Sequence, residues 1–456
     1  MKAGLFWFTV ACVSAATTLQ SIAGERAPDS AAADAKRAER QTAAATIALA
    51  PLRLGTPLLG PVGVDSGGYP TQYVDRAALR SLLSHGKYTE LTRYFEEFQT
   101  AFEADPRKEY WPIDAGDAFA SAEPELSPGL DAWVAATPKS FAPYLARGRY
   151  RISVAYARRG AAFASSTPVG GFAEMEAALI QAVPDLDRAL ELRPKLVAAM
   201  RAKLIGRRGG QDGRAIAERA IAVCPSCLQV RIAYIYELTP RWGGSHEAMA
   251  RFAKERLDPS NPRLKILAGY VDYDKAQLLI LDKKPKDALV AIERACAVGE
   301  HWEFLKERGS IKERLRDFDG AMKDLDRALA LRPGEPAVIL QRASAQLGMK
   351  RWEAGSRDLL TGLRIVPTDP LAHHLINSAV AGLIYEGWAH HTAGRRDDAL
   401  RVYDLAAELA PRNVEVQSRR KTIVAAKAQA DAKKACDLGN SEACARARQS
   451  ASIVRY

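Results

Sequence analysis

The sequence predicts an all-α fold, a superhelix (solenoid) of helical hairpins stacked in series, and three observations carry that expectation. Residues 185 to 194 read DLDRALELRP and residues 324 to 333 read DLDRALALRP, two decapeptides that differ at one position and lie 139 residues apart. Pro333 is followed by an equivalent proline, Pro367, 34 residues on. From Tyr73 onward apolar residues recur at three- and four-residue steps, and no convincing alternating strand interrupts them.

At 456 residues, 48% of them hydrophobic, the chain has room for two or three domains with a proper core. Residues 1–23 stand apart from that core. Lys2 is followed by the apolar run AGLFWFTVACVSAATTL and then by Ser21-Ile22-Ala23, the small-x-small pattern of a secretory signal cut before Gly24. Ser and Thr break the run, which is short for a bilayer span and lacks a basic stop-transfer flank. The apolar stretch before Cys12 is too brief for a lipoprotein box. No second long apolar segment follows, so the expected mature chain has no transmembrane segment and is periplasmic or secreted, with five cysteines in an oxidising space. Residues 24–72, Ala-rich and then rich in Gly and Pro, are expected to form a flexible linker.

Helical periodicity begins at Tyr73 with VDRAALRSLLSHGKYTELTRYFEEFQTAF, where Leu79, Leu82, Leu83, Leu91, Tyr94 and Phe95 share a face. In the first decapeptide Leu186, Ala189 and Leu190 form an i, i+3, i+4 stripe, Asp and Arg fall on the other side, and Pro194 stops the helix. The copy places Leu325, Ala328, Leu329 and Pro333 likewise. Upstream, Pro194, Pro225 and Pro259 are 31 and 34 residues apart, which extends degraded hairpins back to about residue 140. The interruption ASSTPVGG at 164–171 is expected to split a helix.

The 34-residue step and these positions resemble the tetratricopeptide (TPR) superfamily. That family's pattern asks for small residues where two antiparallel helices approach, a large residue beside them, and a closing proline. Residues 302–335 supply Gly309, Ala321, Leu325, Ala328 and Pro333; residues 336–369 supply Ala343, Gly355, Leu359, Gly362 and Pro367. Residues 380–413 supply Leu383, Gly387, Ala399, Tyr403, Ala406 and Pro411, after ten extra residues that lengthen the first helix. Residues 269–301 fit with Ala276, Ala288, Ile292 and Ala295 but lack the proline. One hairpin cannot bury its own apolar face, so the resemblance implies stacking. Residues 73–262, through DAWVAATPKSFAPYLARG, AYARRG and LTPRWGGSHEAM, also resemble a narrower bacterial family of TPR-like domains of unassigned function. The expected domains are therefore 73–262, TPR repeats over 263–415, and a basic C-terminal helix with a hairpin over 416–456.

Lys and Arg number 65 against 54 Asp and Glu, a net charge of +11. Loss of Lys2 with the signal leaves +10, and residues 412–456 hold ten basic against four acidic side chains. Such a tail suits an anionic envelope surface or an acidic protein, or is a solvated helix face. Nucleic acid is not an expected partner, because no reader motif is present.

PRWGGSHE at 240–247 is the sharpest candidate site. As a binding loop it offers Arg241 as a forked donor, Trp242 as a stacking surface, and Gly243-Gly244 for close backbone approach. As a structural loop it offers glycines for a turn, Ser245 as a cap and Glu247 in the first helical turn. Ser245 and His246 are no catalytic pair, since adjacent helix residues point apart and there is no G-x-S-x-G elbow.

Cys224-Pro225-Ser226-Cys227 has the spacing of a redox or zinc half-site, but no second CxxC completes it and a helix rather than a strand precedes it. A structural disulfide or two packed thiols is the expected state. Cys436 and Cys444 would lie ~12 Å apart on one straight helix, yet Leu438-Gly439-Asn440-Ser441 reads as a stop and a cap that let the chain fold back. KKACDLGNSEACARA resembles the cysteine-bridged helical hairpins of secreted bacterial repeat proteins, which implies a disulfide there. Cys296 is left over, buried in its helix.

His373-His374 and His390-His391 share one long helix, with His373 and His391 ~27 Å apart, so they are expected to pack or lie exposed rather than hold a metal. IGRRGGQDGR (205–214) lacks G-x-x-x-x-G-K and reads as a basic loop. DAGDAF (114–119) is too short for a calcium loop, and its acids suit helix caps. No catalytic residues, cofactor or metal are expected.

By the TPR family's register, the first helices would line a concave groove with Tyr270, Tyr273, Gln277, Lys306, Ser310, Arg314, Ser344, Trp388 and His391. Aromatics with cations suit an extended peptide. The expected function is an exported, non-enzymatic scaffold for a protein or peptide in the cell envelope. The alternatives are a small-ligand binder or enzyme using the PRWGGS loop, and envelope binding through the basic C-terminus.

Overall fold

The computed structural model describes residues 57–445 except 66, 160–169, 207–211, 257–260 and 439. The signal segment, most of the linker, and the middle of IGRRGGQDGR lie outside the described residues. Among the described residues the class is all-α, with one two-stranded sheet, and no helix is long and apolar enough to cross a membrane.

The chain divides into two compact units, one running to Gln341 and including 362–371, the other comprising 342–361 and 372 onward. A single buried core extends from Val74 to Ile311, so residue 262 is not a break in the packing.

The first unit opens with a small hairpin in which β1 (Leu58–Leu59) pairs antiparallel with β2 (Tyr73–Val74). Residues 57–65 and 67–72 therefore have a built structure where a linker was expected. Two-residue strands are too short to show alternation, and Gly and Pro here make turns: Gly60 and Gly68 take positive φ, and the Asp65 carboxylate accepts from the amides of Gly67 at 2.8 Å and Tyr69 at 2.9 Å.

The loop is anchored by Tyr69, which is buried with its ring 5.0 Å from that of Tyr110 and donates its own hydroxyl to Glu109 at 2.9 Å. Glu109 also accepts from the amides of Leu228 at 3.2 Å and Gln229 at 3.0 Å, which closes the open N-terminus of the helix Gln229–Glu237 with a buried carboxylate.

Helices α1 (Arg76–Ser84), α2 (Tyr88–Ala104), α3 (Tyr110–Asp117) and α4 (Leu126–Ala136) follow. Asp75 caps α1 through the Ala78 amide at 3.0 Å. Phe95, Phe119 and Trp133 pack together, and Trp133 donates its indole N–H to Thr92 at 2.8 Å. The acids of DAGDAF are not caps. Asp114 is buried and receives Arg76 at 2.5 Å as well as Arg332, while Asp117 receives Arg149 at 2.8 Å and Arg201 at 3.2 Å. Burial works against the Asp117 carboxylate, but Arg149, Arg201 and Arg76 together hold it down to about 2.

Next come α5 (Ala142–Arg159), α6 (Gly171–Leu192), α7 (Val197–Ile205), α8 (Gly213–Val223), α9 (Gln229–Glu237) and α10 (His246–Glu255). Residues 164–169 of the ASSTPVGG interruption lie outside the described residues; α5, which ends at Arg159, packs along α6, which begins at Gly171. After a 3₁₀ segment at Pro262–Gly269 come α11 (Tyr270–Leu281), α12 (Pro285–Val298), α13 (Trp302–Arg314) and α14 (Phe318–Leu331), which pack as consecutive hairpins.

The copied decapeptides end α6 and α14. Their apolar stripes are buried as expected, but so is the aspartate one residue ahead of each stripe. Asp185 receives Arg147 through Nε at 3.0 Å and Nη2 at 2.7 Å, and Arg151 at 2.8 Å. Asp324 receives Arg308 through Nε at 2.8 Å and Nη2 at 2.5 Å, and Lys312 at 2.7 Å. The glycine after each arginine is where the helices touch: a Cβ on Gly148 would stand 2.7 Å from Leu186, and one on Gly309 2.9 Å from Leu325.

Helices α15 (Pro336–Gly348) and α16 (Trp352–Ile365) repeat the theme with Arg342 on Asp358 through Nε at 2.7 Å and Nη2 at 2.9 Å. In the second unit α17 (Pro370–Thr392) is unbroken, as the ten-residue insertion required. Gly387 admits Tyr403 of α18 (Arg396–Leu409), where a Cβ would stand 2.8 Å from the ring. Asn413 caps α19 (Val414–Asp437) through the Val416 amide at 3.0 Å, and Ile423 on α19 completes a small core with Ala399 and Tyr403.

Candidate functional site

PRWGGS folds as a 3₁₀ turn at Pro240–Trp242, followed by Gly243 at φ +84°. The amides a ligand would need are spent inside the loop: Trp242 donates to Thr239 at 2.9 Å, Gly243 to Pro240 at 3.1 Å, and Gly244 to Thr239 at 3.2 Å. Gly244 is required because a Cβ there would lie 2.2 Å from the Leu238 carbonyl oxygen. Ser245 caps α10 through the Ala248 amide at 3.1 Å. Arg241 donates to buried Asp274 at 2.7 Å and to Gln277 at 3.2 Å, and His246 Nε2 meets the other Asp274 oxygen at 2.9 Å. Trp242 is half-buried against the main core. The loop is thereby fastened to α11, with Arg241 and His246 on the Asp274 carboxylate and Arg241 also on Gln277.

Tyr270 and Tyr273 are buried rather than open to a groove. They pack with Tyr236 and Phe304, and both Tyr236 at 2.8 Å and Tyr270 at 3.0 Å donate to Glu303. Burial pushes the Glu303 carboxyl above its usual range, with the two tyrosine hydrogen bonds opposing. Gln277 donates to the Tyr273 hydroxyl at 2.9 Å. Lys306 is buried 3.7 Å from Glu307, Ser310 and Ser344 are buried, and Arg314 is half-buried. The register assigned these residues to an inward face; it carries no information about whether that face is covered by its own neighbours.

Trp388 and His391 are placed differently. Their rings lie 5.2 Å apart, Trp388 is 44% exposed, and the Arg419 guanidinium sits 5.0 Å from the indole centroid. Tyr385, 74% exposed, stands one helical turn back on α17. Ala381, Ile384, Tyr385, Trp388 and Arg419 line an open hollow of about 440 Å³. The sequence reading missed Tyr385, Ile384 and Arg419. Their i, i+3 spacing from Trp388 and Ala381 was visible, but the contribution of α19 was not. A second cavity, beside Tyr69 and Tyr110, is about 10 Å³, room for no more than a water.

The expected Cys436 to Cys444 disulfide forms across the C-terminal fold-back, and of the two states left open for Cys224 and Cys227 the structure has the disulfide, in a buried turn. Arg231 donates to the carbonyls of Cys227 and Pro225, which fixes that turn. Cys296 is half-buried, and burial pushes its thiol up to about 11, far from nucleophilic at neutral pH. On α19, Arg419 pairs with Glu415 at 2.9 Å, Arg420 with Asp404 at 2.5 Å and Lys427 with Asp397 at 2.5 Å, so three of the basic side chains are already countered.

Residues 75–207 and 217–257 match the family model of DUF4034, a domain of unknown function. The DUF4034 match therefore takes in α1 to α7, α8 from Ala217 on, and α9 and α10 with Arg241, Trp242 and both glycines, and leaves the later hairpins outside it. No curated protein matches the chain. Among solved structures, YrrB, a TPR protein with an unusual peptide-binding site, is 17% identical over 45% of this chain and 97% of its own, with a TM-score of 0.26. The Cut9–Hcn1 hetero-tetramer of the APC/C is 12% identical over 91% and 81%, with a TM-score of 0.28. Yeast Tom70 is 15% identical over 78% and 88%, with a TM-score of 0.23.

Proposed function

We propose that this protein is an interaction scaffold of the cell envelope that takes a protein or peptide segment on the aromatic face of α17. The observation that carries the reading is the open hollow at Tyr385, Trp388 and Arg419. Rigid rings give contact area at small entropic cost, and an arginine beside a tryptophan is the composition of an interface hot spot. His391 and Arg419 supply donors for carbonyl or carboxylate groups of the bound segment. The envelope location is supported by residues 1–23 and by two disulfides, which persist in oxidising compartments.

The PRWGGS loop is supporting structure in this reading, because Arg241 and the loop amides are engaged internally. A photo-crosslinking residue at Tyr385, compared with one at Val290, which is 54% exposed, tests the proposal in cells. Adducts are expected at 385 alone, and lost on Trp388→Ala, while Arg241→Ala leaves them in place. Equal labelling at both positions, or survival of the adduct in Trp388→Ala, contradicts it.

A further inference from the structure

Three hairpins share a device that the last one replaces. Arg147, Arg308 and Arg342 each stand one residue before the small contact residue of the first helix, Gly148, Gly309 and Ala343, and each forks onto an aspartate one residue before the large residue of the second helix. In two of them a second cation four residues on, Arg151 or Lys312, joins the same carboxylate. In the last hairpin the residue before Gly387 is Glu386, the residue four on is His390, and the position before Tyr403 is the buried Val402. The cations have become a carboxylate and an imidazole, and their aspartate has become a hydrocarbon.

The exchange leaves a defect. One Glu386 oxygen is out of solvent with no hydrogen-bond partner, although the same register position elsewhere makes two hydrogen bonds. Facing it is a second carboxylate, Glu353 at the start of α16. Glu353, Glu386 and His390 each bring one ligand atom to a point where all lie within 4.8 Å of one another. Glu353 is held meanwhile by Arg401 at 2.5 Å and Arg357 at 3.0 Å, both about half exposed. Exposed ion pairs of that kind are worth little and exchange readily.

We propose that Glu353, Glu386 and His390 form a site for a divalent transition-metal ion of the zinc class, joining α16 to α17. A Glu and a His at i, i+4 on one helix converge on one side of it, and a carboxylate from the facing helix completes a three-ligand set that leaves the fourth position to water. The imidazole selects against calcium and magnesium, which take oxygen ligands. The ion would supply, for Glu386, the positive charge that the other hairpins supply with arginine and aspartate in reversed roles. The site does not depend on the peptide face of α17.

The test uses the untagged full-length mature chain, stripped with chelator and titrated with Zn²⁺ by calorimetry and with Co²⁺ by absorption. One ion per chain is expected, with Co²⁺ ligand-field bands. His390→Ala and Glu386→Gln are each expected to weaken binding about ten-fold or more and to abolish the bands. His391→Ala and His374→Ala serve as controls that bind as the parent does. No binding by the parent, or parent-like binding by both His390→Ala and Glu386→Gln, overturns the proposal.

Discussion

Arg308 and Asp324 meet through two parallel hydrogen bonds, and Arg147 meets Asp185, the matching aspartate 139 residues before Asp324, in the same way. This relationship explains why a decapeptide is copied within one chain. Its leucines and alanines fill the space between helices, and many apolar residues could do that. Its first aspartate seats an arginine fork from the facing helix, and only a short acid at that position can. Asp324 is nearly buried while Arg308 is about a quarter exposed, so the pair lies between a surface bridge and a sealed one.

Acid should weaken the first unit through His301. Burial first, and the charge of Arg332 second, keep its imidazole neutral down to about 3, against an ordinary value of 6.5. Between those values the unfolded chain binds the extra proton and the folded chain does not, so this stability is present above pH 6.5 and lost as pH falls through the window. Glu303 acts in the opposite sense: its raised carboxyl costs stability as pH rises through its own window. The His301→Gln variant separates the two. From about pH 7 to about pH 5 the parent should lose on the order of 1 kcal/mol per pH unit at the steepest point in urea melts, and the variant distinctly less. Equal slopes would remove His301 from the account.

Gly244→Ala should destabilise far more than an ordinary glycine substitution in a loop. The added carbon would sit 2.2 Å from the backbone oxygen of Leu238, and the loop cannot swing aside without breaking its hydrogen bonds to Thr239. A loss of more than about 2 kcal/mol is expected in chemical denaturation. A neutral result would mean the loop has a slack that its hydrogen bonding denies.

The two disulfides should differ in accessibility. Cys224 and Cys227 are buried beneath Arg231, whereas Cys436 and Cys444 are half-exposed at the end of α19. Under mild native reduction with alkylation, mass spectrometry should find Cys436 and Cys444 labelled well before Cys224 and Cys227. Simultaneous labelling would show that the CxxC turn opens on its own.

The sequence made the helices and their stacking in hairpins legible, because close helix contacts restrict residue size at fixed steps, and a stop and a cap between Cys436 and Cys444 marked that disulfide. It concealed the polar interior. A 3.6-residue period sorts Asp185 and Asp324 to the wet face, but a carboxylate beside a glycine contact can be covered by the arginine it holds. Tyr270 and Tyr273 were assigned to a binding face by the repeat register, yet Tyr236, Phe304 and Glu303 seal them over. Asp114 looked like a cap since its partner Arg332 is 218 residues away. Trp388 stayed open, and the signal that it had company, Arg419 on α19, was a tertiary one.

A double-mutant cycle on Arg308 and Asp324 tests most directly whether the repeated aspartate holds the hairpin together. Asp324→Ala alone should cost about 2 kcal/mol, and the Arg308→Ala, Asp324→Ala pair should cost less than the sum of its parts by about 1 kcal/mol or more. Strictly additive losses, or an Asp324→Ala chain as stable as the parent, would contradict it.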